Sequence, residues 1–173
     1  AGACSCLQQA DTEHTDAKNM YLFYCNPEAK EKLFYPNGKL KFRIIEAPSA
    51  NSDTLRLMCN YDSLGNIVQQ GVFDLAINAF IGEVRWYYPD GKLKKIGYLN
   101  RNTPYGSWKE FYSDSTLMKE YYYKNGQIDS LFRYLHSSGK LWTERIYKEG
   151  KLVDIRSNFD KNGKPLAIGA FKK

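Results

Sequence analysis

At 173 residues the chain suffices for one domain with a buried core, and no run in it approaches the ~18 apolar residues of a membrane-spanning helix. Fourteen tyrosines and nine phenylalanines favour half-buried pleated surfaces, so strands are expected over helices. The net charge of +6 is lopsided: residues 1–60 carry seven basic and seven acidic side chains, whereas residues 61–173 carry 18 and 12. Such a basic region can attract an acidic protein, anionic lipid or nucleic acid. It can also simply keep exposed strands soluble and discourage edge pairing, and that reading is preferred.

In chain order, residues 1–21 form a polar segment read as a flexible tether. It opens Ala-Gly-Ala-Cys, a cysteine after small residues, as at the end of a lipoprotein signal, which makes Cys4 a candidate for lipidation. Ala1 stands where such a signal usually carries Leu, and ordinary signal cleavage or a tag remnant would leave a similar start. An exported protein, periplasmic or at the cell surface, is therefore expected ahead of a cytoplasmic one. The four cysteines, Cys4, Cys6, Cys25 and Cys59, permit two disulfides in three connectivities. Cys25 and Cys59 sit in similar contexts, Tyr-Cys-Asn and Met-Cys-Asn, and are a candidate pair across neighbouring strands.

From about residue 22 onward a single repeat domain of about six hairpin units is expected. Phe34-Tyr-Pro-Asn-Gly-Lys-Leu40 is the first turn copy, residues 47–53 lengthen a loop, and Tyr61–Ile67 is a degenerate second copy. From Val84 the period is strictly 24. Gly91 leads to Ser115, Gly139 and Gly163, Leu93 to Leu117, Leu141 and Pro165, and Arg85 to Lys109 and Arg133. Each unit has an aromatic strand ending in a turn such as Pro-Asp-Gly, then a second strand, then a Gly/Asn loop. Two strands of about six residues and two turns fill the period. Because 24 is even, every column keeps to one face of the sheet.

Aromatic-aromatic-Pro-Asp/Asn-Gly-Lys-Leu-Lys, as in Phe34–Lys41 and Tyr87–Lys94, with partial copies at Tyr123–Ile128 and Phe159–Lys164, resembles the MORN-type repeat. The bacterial variant of YwqK-type toxin–antitoxin antitoxins is the most similar form. The resemblance covers about residues 30–173. It implies an all-β fold of tandem hairpins in an elongated, twisted antiparallel meander, used as a scaffold or binding surface. The antitoxin likeness implies a protein partner and carries over no binding residue.

Catalytic inventory is thin. His14 lies in a polar stretch, and His136 occupies a turn in the column of Tyr88 and Tyr112. Neither adjoins a nucleophile signature. Glu120 and Glu144 share a column and are expected to face cross-strand Lys or Arg. Cys4, Cys6 and His14 lack a completing ligand motif, so neither metal nor cofactor is expected. A non-catalytic protein-interaction module is expected, an antitoxin or immunity protein by the resemblance. Its candidate surface is Trp86, Trp108, Tyr123 and Tyr147 flanked by Arg85, Lys109 and Arg133. The same aromatics could instead be core on one sheet face. The alternative function is an envelope-associated protein whose basic face meets anionic lipid or polysaccharide. A nucleic-acid partner is set aside, since basic edges on a β core account for the same residues.

Overall fold

The computed structural model describes residues 29–46 and 54–167. They form eleven strands: β1 (Ala29–Phe34), β2 (Leu40–Glu46), β3 (Leu55–Tyr61), β4 (Ile67–Asp74), β5 (Ala79–Tyr87), β6 (Leu93–Asn100), β7 (Thr103–Phe111), β8 (Leu117–Lys124), β9 (Gln127–Leu135), β10 (Leu141–Lys148) and β11 (Lys151–Asn158). All pair antiparallel in sequence order within one open sheet. The expected hairpin meander is therefore the fold. From β4 onward the strands run to eight or nine residues instead of six, because the turns between them are tight. The expected N-terminal tether, Cys4 and Cys25 lie outside the described residues.

The six turns recognised in the sequence line one edge of the sheet. In each, the residue three before the glycine position accepts that position's amide: Gly38 to Tyr35, Gly65 to Asp62, Gly91 to Tyr88, Ser115 to Tyr112, Gly139 to His136, Gly163 to Asp160. These turns are also tied to one another. The Tyr35 hydroxyl donates to the Tyr61 carbonyl at 2.8 Å, Tyr88 to Phe111 at 2.7 Å and Tyr112 to Leu135 at 2.7 Å. His136 takes the tyrosine's place one unit on, its Nε2–H donating to the Phe159 carbonyl at 3.3 Å. Where Asp occupies the column, the carboxylate instead braces its own turn, accepting the amides of Leu64 and Asn66 at Asp62 and of Asn162 and Lys164 at Asp160.

Just beyond five of the six turns one residue is skipped by the pairing, a β-bulge that recurs with the repeat: Lys41, Val68, Lys94, Met118 and Trp142. At three of these positions the bulged side chain folds back over the column residue. Lys41 lies over Tyr35, Lys94 over Tyr88, and Trp142 stacks on His136 with centroids 5.3 Å apart. A second irregularity recurs on the following strand at Gly82, Gly106 and Ser130, all with φ between 68° and 71°. The opposite edge has its own tie between units, with Asn102 N–H donating to the Phe80 carbonyl and Gly150 N–H to that of Ile128.

Strand alternation divides the side chains between two faces. The main core lies on one of them, here the aromatic face, where Phe80, Val84, Leu99, Trp108 and Tyr121 are buried. A second cluster of Ile45, Leu57 and Cys59 lies on the opposite face at β2–β3. Adjacent Ile44 and Ile45 are both buried, so the sheet is closed on both faces at this end.

Candidate functional site

The aromatic face is built by rings lying over a flat place in the backbone. An ideal Cβ on Gly97 would fall 2.1 Å from the Trp108 indole, so only glycine lets that ring lie against β6. Trp86 packs on Trp108 at 5.5 Å, Tyr123 meets Trp108 edge-on at 5.5 Å, and Tyr121 stacks on Phe132 at 5.3 Å. The Phe132–Tyr147 contact at 5.7 Å extends this layer to β10. Trp108 is 5% exposed, and its Nε1–H donates to the Tyr105 carbonyl. The expectation that Trp108 belongs to a binding surface is therefore corrected: its ring is core. Trp86, Tyr123 and Tyr147 are half-buried members of the same layer.

Charges on the aromatic face are engaged internally. The Lys95 ammonium sits 4.2 Å from the Trp86 centroid and 5.5 Å from that of Trp108, and burial pulls its pKa down. Glu110 accepts from the Tyr121 hydroxyl at 2.7 Å and from Lys119 at 3.0 Å. Burial pushes Glu110 up, but those hydrogen bonds hold its pKa below the ordinary glutamate value. Burial first, then the bond to Glu110, raises the Tyr121 phenol far above its usual value.

The other face carries a row unbroken from strand to strand. Cross-strand neighbours run Cys59, Gln70, Arg85, Ile96, Lys109, Glu120, Arg133, Glu144, Ser157. The basic column Arg85, Lys109 and Arg133 thus lies on one face, as the even period implies, but across the sheet from Trp86 and Trp108. The seven candidate residues do not form one surface. Arg85 is partly buried and bonded to Glu83 at 2.7 Å. Arg133 bridges Glu120 at 2.8 Å and Glu144 at 2.7 Å, which raises its pKa and fulfils the expectation for the glutamate column. Lys109 is exposed and makes no ion pair among the described residues.

Two residues from Lys109 toward the second edge is a group that sequence reasoning missed. Tyr98, Tyr105 and Tyr122 on three successive strands are 37–43% exposed, and Tyr98 and Tyr105 touch at 5.9 Å. The positive-φ bulge at Gly106 lets Tyr105 stand opposite Tyr98 while Ser107 pairs with Tyr122. A shallow depression of about 200 Å³ lies here, between Ser107, Lys109, Tyr122, Leu131 and Arg133. A larger groove of about 680 Å³ opens at the second edge, lined by Lys124, Asp129, Tyr147 and Lys148. The only sequence signal for the tyrosine group was the alternation of Tyr98 and Tyr122 with core positions.

For Cys59, the structure gives burial in β3; its candidate partner Cys25 lies outside the described residues. No group of three or more His, Cys, Asp or Glu side chains with metal-site spacing occurs among the described residues. No described helix is long and apolar enough to cross a membrane.

Three segments, residues 27–45, 81–100 and 104–125, match the MORN repeat variant model. They coincide with the β1–β2, β5–β6 and β7–β8 hairpins. No curated protein matches the chain. Among solved structures, a Staphylococcus aureus TarM variant in complex with fondaparinux, α-GlcNAc-glycerol and UDP is similar at TM-score 0.40 and 11% identity, over 70% of this chain and 24% of that one. A GtfA/B complex is similar at TM-score 0.39 and 12% identity, over 65% and 21%. The chain thus spans less than a quarter of either, and likeness at this level relates no function.

Proposed function

We propose that this chain, three of whose hairpins match the MORN repeat variant, is a non-catalytic scaffold that docks another protein on its ionic, tyrosine-bearing face. The supporting observation is the group Tyr98, Tyr105 and Tyr122 beside Lys109. Three exposed phenols and one cation without a carboxylate stand on rigid strands. Tyrosine brings a large contact area at little conformational cost, and it is enriched where binding energy concentrates. The finer reading, that this is an antitoxin or immunity-type protein, makes the partner a toxin and rests on the YwqK-type resemblance.

Two lysines at the turn edge point away from an anionic lipid or glycan surface as the ligand. Lys92 donates to the Ser113 carbonyl at 2.9 Å and Lys140 to that of Asn162 at 3.0 Å. These ammonium groups serve to join neighbouring turns. Export, with or without lipidation at Cys4, belongs to the same proposal, and mass spectrometry of Cys4 in protein from its native membrane tests it.

A photo-crosslinking residue placed at Tyr105, with Leu64 at a turn tip as control, tests the docking face in the source cells. A protein adduct from the Tyr105 site, weakened by Lys109→Glu and absent from the Leu64 site, is the expected result. Adducts with lipid or glycan alone, or equal adducts from both sites, would overturn the reading.

A further inference from the structure

We propose that the protein docked on this face is a second copy of the same chain, held face to face about a two-fold axis that runs along the strands between β7 and β8. The inference rests on the reading that this face binds protein. It is carried by the order of side chains across the sheet. From β6 to β9 the central row reads Ile96, Lys109, Glu120, Arg133. A two-fold axis between β7 and β8 reverses that order on the facing copy. Lys109 then meets Glu120 of the second copy, and Glu120 meets the second copy's Lys109. Ile96 lies under the stem of the second copy's Arg133.

The neighbouring row obeys the same symmetry. Ser107 of β7, the register partner of Tyr122, faces Tyr122 of the second copy's β8, and Tyr105 stands beside it on the same strand. An isologous contact requires this self-complementarity, in which one patch satisfies itself when turned over. The aromatic face differs: reversed about the same axis, Glu110 meets Lys119, and both are bonded to each other within the chain, whereas on the ionic face Glu120 is held by Arg133 but Lys109 makes no ion pair among the described residues. On the ionic face, Lys109 is the cation left for a partner.

Sheet twist of roughly 20–25° per strand confines face-to-face contact to the central strands β6–β9. Four strands about 4.8 Å apart and about 27 Å long offer roughly 500 Å² per copy, near 1,000 Å² in all. That is at the lower limit of specific interfaces, so the dimer is weak and forms in the micromolar range or above. At the other end of the sheet, Ile45, Leu57, Cys59 and Gln70 are already buried on this face, so its open part begins beyond β4.

Sedimentation equilibrium of the full chain from 5 to about 500 μM tests the proposal. The native protein is expected to shift from monomer to dimer over this range. Lys109→Glu sets glutamate against Glu120 twice in the pair, and Glu120→Lys sets lysine against Lys109 twice. Each variant alone should associate at least about tenfold more weakly. An equimolar mixture of the two restores both attractions and should recover association as a heterodimer. Circular dichroism confirms that each variant is folded, and Thr116→Ala serves as a remote control. A native chain monomeric throughout, or variants that dimerise as well alone as mixed, would overturn the proposal. A heterologous adduct at Tyr105 with a strictly monomeric chain would leave the docking reading standing and remove only the second copy.

Discussion

Ser115 occupies the position that is glycine in the other five copies of the turn, and it sits at φ 71°. A Cβ in this left-handed region costs roughly 1–2 kcal/mol, and no compensating bond of its hydroxyl relieves it among the described residues. Ser115→Gly should therefore stabilise the fold by about 1 kcal/mol, measured by urea denaturation, with Gly139→Ser losing a similar amount. Phenols with raised pKa values set the alkaline limit. Tyr98, Tyr112, Tyr121 and Tyr123 all have pKa values raised, in each case first by burial. A raised phenol gives stability that is complete below the unfolded value near 10 and is lost as pH rises through the folded one. Lys95 and Arg85, both lowered first by burial, work in the opposite sense but are fewer. The melting temperature should hold to about pH 10 and then fall, with tyrosinate absorbance rising together with loss of the circular dichroism signal. At this scale the turn glycines were legible because Gly after Pro-Asp or Pro-Asn announces a turn. Ser130, with φ 68°, was not. Nothing in a serine declares a left-handed backbone, and only its spacing of 24 from Gly106 marks it.

The hairpin is the unit of the element scale, and what joins one hairpin to the next is a hydroxyl on a carbonyl. Tyr112→Phe removes the 2.7 Å bond to Leu135 and leaves that carbonyl without this donor. A loss of about 1 kcal/mol is expected in chemical denaturation. Tyr122→Phe, whose hydroxyl has no hydrogen bond among the described residues, should change stability by less than about 0.5 kcal/mol. His136 was read from the sequence as a turn residue in the column of Tyr88 and Tyr112, and that position holds. Its task was not readable, because the acceptor is a backbone carbonyl 23 residues away that no side-chain pattern encodes. The same limit separated the candidate site residues. Arg85 and Trp86 are neighbours in the chain, so in a strand they must point to opposite faces, and no single surface holds both. Alternation could have split them in advance. That Trp108 is core and Lys109 exposed depends on which face is packed, and this is decided by Gly97 admitting the indole.

Across the whole molecule, each strand pairs only with its sequence neighbours, so stability is close to a sum of units and the contacts between them. Removing residues 101–124, one full period, joins Asn100 to Asn125 and preserves every face downstream. The shortened chain should fold cooperatively with a lower melting temperature and an unchanged far-ultraviolet spectrum. Removing residues 101–125 instead turns every later side chain to the wrong face, and aggregation or unfolding is expected. Size-exclusion chromatography and circular dichroism distinguish the two outcomes. The architecture was the most legible feature because an even period repeats both turn chemistry and face. The stretched β1–β4 region was the least, since its turns are spaced by 27 and 26 residues and only its glycines mark the register.

The turn-to-turn hydroxyl bonds have a mechanical corollary. Tension drawn between the two ends of the sheet acts across the strands, so the ladders open one after another like a zipper instead of shearing together. Each half-period that peels away lengthens the chain by roughly 40 Å, from about twelve residues at ~3.4 Å each. The bonds from Tyr35, Tyr88, Tyr112 and His136 sit at the corners where each hairpin would begin to lift. They act as latches against that first movement. A chain so built yields gradually under load, with alternate steps latched, and recoils one hairpin at a time.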